Sequence, residues 1–241
     1  MHIVKKIFSG ITGYWIHKIE TLPVGADLFI DIHKRINYGP LYTMFDVGAN
    51  TGQTREWFRN NEHQAKIYCF EPVLQPFEEL KKRVSGDKYC VNENFALGEI
   101  PGKKIVSLFE EYSTYNSLKN ELMNQDRDAA KETITIDTLD NYCKKNAISK
   151  IDLLKIDTEG YEMNVLKGGE QILESGSVPF IFCETGFLIK NKRNTNFSEL
   201  TEWLANKNYY FFGMYQLNAH AWKQGYYFGN ALYVHKDVYN P

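Results

Sequence analysis

The 241-residue chain is 43% hydrophobic and 15% aromatic, with a formal net charge of −2, as suits a packed globular protein. The near-neutral balance and the lack of a long basic run exclude a general nucleic-acid binder, and no run of about 18 apolar residues is present to span a bilayer. This length accommodates a helical extension over residues 1–40 and one large α/β domain over residues 41–241.

Residues 1–40 read as helical, because Ile3, Ile7, Ile11, Trp15, Ile19 and Leu22 recur at helical spacing with Lys and His between them. Pro23-Val24-Gly25 interrupts the stripe, Ala26 to Ile36 resumes it, and Asn37-Tyr38-Gly39-Pro40 stops it. The stripe is expected to cap the core, with a homodimer face or a membrane-surface face as alternatives. Lys5-Lys6 ahead of Ile7 to Ile16 imitates a signal peptide, but polar and glycine interruptions and the lack of a small-x-small site before Glu20 argue against one. Cys69, Cys90, Cys143 and Cys183 form no C-x-x-C, so buried free thiols in a cytoplasmic protein are expected.

From residue 41 strands and helices alternate. Leu41 to Val47 reads as a strand, Thr51 to Asn60 as a helix, Ala65 to Phe70 as a strand, and Pro76 to Val84 as a helix with proline in its first turn. A short strand follows at Lys88 to Asn92, then a turn at Ala96 to Gly102 and an extended run at Lys103 to Phe109. The polar stretch 110–131 is long enough for a binding loop or a solvated excursion. Further on come a strand at Glu132 to Ile136, a helix at Asp137 to Asn146, a strand at Ile151 to Ile156 and a helix at Tyr161 to Glu174. A strand at Val178 to Cys183, a helix at Phe197 to Asn206 and a closing antiparallel pair, Tyr209 to Met214 with Asn230 to His235, complete the chain. The aromatic-rich tail around Tyr209 to Phe212 is expected mainly to fill core, although aromatic faces also suit sugars.

This alternation predicts a mainly parallel sheet with helices on both faces, and ligands in such sheets bind beyond the carboxyl ends of the strands. Asp46, Glu71, Asp157 and Glu184 are all expected there, just past strand ends. In Met44-Phe45-Asp46-Val47-Gly48-Ala49-Asn50-Thr51-Gly52 a strand breaks at glycine and enters a helix; Gly48 and Gly52 are expected to keep side chains out of a ligand's space. Glu71, nineteen residues after Gly52, can accept both hydroxyls of a ribose, with capping as its structural alternative.

These segments resemble class I S-adenosylmethionine-dependent methyltransferases, and more narrowly the FkbM-type methyltransferases. The matching stretches are Phe45 to Gly52, Cys69 to Pro72, Asn94 to Glu99, Ser113 to Leu118, Thr138 to Asp140, Ile151 to Gly169 and Phe182 to Glu184, with the block around Lys155 to Glu162 the most specific. Residues 1–40 lie outside the resemblance, and 187–228 match poorly. The resemblance implies a Rossmann-like fold over residues 41–241, S-adenosyl-L-methionine as cofactor, and methyl transfer to an oxygen of a small-molecule or glycan acceptor. It sets the loop of Gly48, Asn50, Thr51 and Gly52 around the methionine end, Asp46 near its amino group, Glu71 on the ribose, and Asn94, Phe95 and Ala96 against the adenine.

A hydroxyl needs its proton taken, and Asp157, Glu159 and Glu184 are the candidate bases. Lys155, two residues before Asp157, shares its face of the strand, and an ion pair would keep Asp157 charged. Glu159 has a competing role as a cap at a helix N-terminus. Mg²⁺ on Asp157 and Glu184 is the less favoured alternative, and the histidines show no spacing for zinc, so no metal site is assigned. Two other readings are carried. A nicotinamide or nucleotide-sugar oxidoreductase would favour G-x-G-x-x-G over the G-x-x-x-G present, and a non-catalytic module would not need the rim acids.

Overall fold

The structure, a computed structural model, describes residue 18 and residues 21–108, 130–188, 193–218 and 225–239. The stripe before residue 18, most of the long loop and Trp222 lie outside the described residues.

The strands are β1 (Thr43–Val47), β2 (Lys66–Phe70), β3 (Cys90–Glu93), β4 (Ala96–Leu97), β5 (Gly102–Leu108), β6 (Ala130–Asp137), β7 (Leu153–Ile156), β8 (Phe180–Gly186), β9 (Tyr209–Asn218) and β10 (Phe228–His235). Seven form one sheet in the order β3-β2-β1-β7-β8-β10-β9, parallel except that β10 runs against both β8 and β9. β1, β2, β7 and β8 are buried on both faces almost throughout, which is why they read as unbroken apolar runs. From β1 the chain steps outward to β2 and β3, then returns to β7 on the other side. The neighbouring carboxyl ends of β1 and β7 are therefore the switch point where such sheets take ligands.

One sheet face is covered by α1 (Leu28–Ile30, continued by a π turn over Asp31–Arg35), α2 (Gln53–Asn61) and α3 (Leu74–Arg83), with Leu28, Ile32, Phe58 and Leu80 fully buried. The other carries α4 (Leu139–Lys145), α5 (Glu162–Lys167), α6 (Glu170–Glu174) and α7 (Phe197–Ala205), with Leu139, Val165, Leu173 and Leu204 against the strands. Within the expected 1–40 extension, residues 28–32 join the main core. Asp31 fastens them by accepting from Tyr215 Oη of β9 at 2.7 Å and pairing with Arg35 at 2.6 Å.

Four expectations are corrected. The single helix over 161–174 is two, because a Cβ at Gly168 would lie 1.9 Å from the Gly98 carbonyl and one at Gly169 2.5 Å from Leu139, so backbone packs tightly at the break. The turn at 96–102 contains β4, which pairs with β6, while β5 pairs antiparallel with β6 to make a second, three-stranded sheet. Asp46 lies inside β1 rather than past its end. Glu184 lies inside β8, which runs on to Gly186 because it pairs with β10 through Phe228. All four cysteines are free, and Cys90 alone among them is half-buried rather than buried. Of the aromatic tail, Tyr209 and Tyr215 are buried as expected, whereas Tyr210, Phe211 and Tyr226 stay exposed.

Candidate functional site

Three strand ends are knitted into one floor. The amides of Gly48 and Ala49 both donate to the Phe70 carbonyl at 3.0 Å, and the Asp157 amide donates to the Val47 carbonyl at 3.0 Å. Gly48 has φ 79°, and a Cβ built there would lie 1.8 Å from the Asp157 carbonyl oxygen. Gly52, at φ 91°, would drive a Cβ to 2.7 Å from Leu80 of α3. At both positions a Cβ would meet neighbouring protein, backbone at Gly48 and the Leu80 side chain at Gly52. Gly48→Ala is expected to destabilise the fold by more than about 2 kcal/mol, from left-handed strain plus the clash, measured as a lower midpoint in urea unfolding.

Above this floor is a cavity of about 250 Å³, walled by Gly48 and Asn50 after β1, by Gln53 and Thr54 of α2, by Glu71 and Val73 after β2, by Ala96 and Leu97 of β4, and by Lys155, Asp157 and Glu159 at β7. Glu71 is 6% exposed. Its Oε2 accepts from the Asn50 amide and its Oε1 from the Val73 amide, each at 2.9 Å, leaving each oxygen capacity for one more donor. Burial lifts its carboxyl to about 7, against the downward pull of those two amides. Asn50 Oδ1, on the same wall, is buried with no hydrogen-bond partner among the described residues.

Lys155 and Asp157 do pair, at 3.6 Å, but the nearer partner of Lys155 Nζ is Asp46 Oδ1 at 2.9 Å, set opposite it by the β1–β7 register. Burial pulls the Lys155 ammonium down, yet the Asp46 and Asp157 charges outweigh it and hold its pKa above the usual lysine value. Burial likewise lifts the Asp46 carboxyl, with Lys155 opposing.

Three consecutive residues after β8 each take one acid. Arg193 Nε and Nη2 donate to the two oxygens of Glu159 at 2.6 and 2.7 Å, Asn194 Nδ2 donates to Glu184, and the Thr195 amide and Oγ1 donate to Glu162 Oε2 at 3.2 and 2.6 Å. Glu162 Oε1 accepts from the amides of Thr158 at 3.0 Å and Gly160 at 2.8 Å. The helix-end capping considered for Glu159 therefore belongs to Glu162, which holds a turn whose Glu159 and Gly160 sit at φ 55° and 98°. Burial raises Glu159 against the Arg193 charge. Burial first, then the charges of Asp157, Glu159 and Glu162, push Glu184 up to about 10.

Of the expected cofactor residues, Gly48, Asn50, Glu71 and Ala96 wall the cavity. Asp46 is fully buried behind Lys155. Asn94 is exposed and donates from Nδ2 to the carbonyls of Glu71 and Pro72 at 3.0 Å, while Phe95 packs on Phe70 and Tyr142; Thr51 and Gly52 are likewise outside the wall. Of the expected catalytic residues, Lys155, Asp157 and Glu159 are in the wall and Glu184 stands beside it. Gln53 and Thr54 were missed, although their place in the first turn after Gly52 marks them. Arg193, Asn194 and Thr195 were missed because they continue a polar, basic run that reads as solvated.

A family model described as Methyltransferase FkbM domain matches residues 46–211. The chain is similar to methyltransferase sdnD of Sordaria araneosa, 25% identical over 190 residues that cover 67% of this chain and 73% of that one. Among solved structures it is similar to Sp1610 of Streptococcus pneumoniae in complex with S-adenosyl-L-methionine, at TM-score 0.47 and 13% identity over 86% of this chain and 71% of that one. It is also similar to 1,6-didemethyltoxoflavin-N1-methyltransferase of Burkholderia thailandensis, at TM-score 0.46 and 10% identity over 86% of this chain and 76% of that one.

Proposed function

The chain belongs to the FkbM methyltransferase family, and from that premise we propose that it moves the methyl group of S-adenosyl-L-methionine onto a hydroxyl of a sugar, a glycan or a secondary metabolite. Membership sets aside the oxidoreductase and non-catalytic readings. The donor set of the cavity fits the cofactor. Glu71 keeps one acceptor position on each oxygen for a ribose diol, and the orphaned Asn50 Oδ1 wants a donor. Ala96 and Leu97 offer an apolar edge to a base. When bound, the cofactor supplies an electrophilic methyl group on a sulfonium.

What supports an oxygen acceptor is the gathering of Asp157, Glu159 and Glu184 beside the cavity. Glu159 is engaged on both oxygens by Arg193, and Glu184, lifted to about 10, holds its proton at neutral pH. Asp157, with 34% of its side chain exposed, is the residue we assign to take the hydroxyl's proton and release it to water. Lys155 keeps that carboxylate in place, and alignment of acceptor and methyl supplies much of the remaining acceleration. Mg²⁺ stays less favoured, because the Asn194 amide already donates to Glu184.

Calorimetric titration with S-adenosyl-L-methionine and with NAD tests the reading: the first should bind and the second should not, and the reverse would overturn it. Glu71→Ala should weaken cofactor binding by about 1–3 kcal/mol through loss of hydrogen bonds to a charged group. The pH dependence has a definite sign. A Glu71 carboxyl raised to about 7 is protonated below that pH and then cannot accept from both hydroxyls. Affinity should rise with pH up to about 7 and level off above it, and Glu71→Gln should flatten this part of the profile. A wild-type affinity that stays constant through that window would remove Glu71 from the ribose.

A further inference from the structure

The wall between β1 and β7 holds one buried ammonium, and its neighbours decide which ligand charge it can meet. Lys155 Nζ lies 2.9 Å from Asp46 Oδ1, 3.3 Å from the Gly48 carbonyl and 3.6 Å from Asp157 Oδ2. An ammonium has three N–H donors. Gly48 accepts one of them; Asp46 pairs with the ammonium as an ion at 2.9 Å, but neither of its oxygens is placed to accept a hydrogen bond from it, and the Asp157 contact is longer than the roughly 2.7–2.9 Å of a charge-assisted hydrogen bond. At least one donor is therefore poorly used, on a side chain that walls the cavity. Asp46 is fully buried and outside that wall, so its own counter-ion screens it from any ligand. In the same wall as Lys155 are Gln53 and Thr54, the first residues of the nine-residue α2, whose N-cap Gly52 supplies no side-chain cap. Helix dipole and ammonium both favour negative charge at this corner.

We propose that Lys155 receives the carboxylate of the cofactor's methionine end, and that Asp46 is a positioning residue acting through Lys155. This rests on the S-adenosyl-L-methionine reading above and departs from the resemblance, which sets Asp46 itself beside the amino group. A ligand carboxylate at this corner takes a poorly used Lys155 donor, while the longer ion pair with Asp157 is kept. Asp46 stays behind the ammonium, cancels its charge and fixes its direction.

The experiment compares three ligands by calorimetry on the full chain: S-adenosylhomocysteine, its decarboxylated analogue that keeps the amine, and its deaminated analogue that keeps the carboxylate. Removal of the carboxylate should weaken binding about tenfold to a hundredfold, and more than removal of the amine. Asp46→Asn, which keeps an oxygen beside the ammonium but removes the cancelling charge, should widen the ratio between S-adenosylhomocysteine and the decarboxylated analogue while leaving the affinity for that analogue itself nearly unchanged. Equal binding of those two ligands to the wild type, or a larger loss on deamination, overturns the proposal while the cofactor reading stands. Failure of all three to bind removes the cofactor reading and the proposal together. An unchanged ratio in a folded Asp46→Asn removes the positioning role, and if that variant does not fold, the wild-type comparison decides for Lys155.

Discussion

Glu162→Ala is expected to lower the unfolding free energy by about 3–5 kcal/mol, among the largest effects available to a single substitution in this chain. The side chain is 0% exposed, and its two oxygens accept from the amides of Thr158, Gly160 and Thr195 and from the hydroxyls of Thr158 and Thr195. Hydroxyls can rotate toward other acceptors, but the amides are fixed by backbone. Each one left buried and unsatisfied costs about 1–3 kcal/mol. For a chain of this length the loss corresponds to a drop of roughly 10 °C in Tm by calorimetry. A drop of only about 1–2 °C would mean that water or a backbone shift re-satisfies the amides.

Lys155→Met is expected to cost about 3–5 kcal/mol by chemical unfolding, because it leaves Asp46 charged, fully buried and without its counter-ion. The double variant Asp46→Asn with Lys155→Met should recover most of that loss, since it removes the isolated charge as well as its partner. The two substitutions should thus be strongly non-additive. If the double variant is as unstable as the sum of the singles, the pair does not act as a unit and the energetic link between Asp46 and Lys155 is wrong.

Much of this architecture was legible for a physical reason. β1, β2, β7 and β8 are buried on both faces, so their apolar runs and the polar breaks after them stand out without any partner being known. Glu71 and Asp157 were placed correctly past their strands because a strand that ends at a rim ends for local reasons. Glu184 was not, since the end of β8 is set by pairing with β10, some forty residues on, and local pattern carries no trace of that. Asp46 was legible as a carboxylate on the first strand, but the register that sets it opposite Lys155, and so gives it a counter-ion, leaves no local trace. The role of Glu162 was equally hidden, for a glutamate in a first helical turn looks like an ordinary cap until Thr195 arrives from beyond β8.

The run Arg193-Asn194-Thr195 has an evolutionary corollary. Because one short, mostly buried stretch fastens Glu159, Glu184 and Glu162 together, grafting a different stretch there would reprogram all of them in a single event. Acceptor choice could then diversify by segment exchange, while the strands and the Glu71 corner were inherited unaltered.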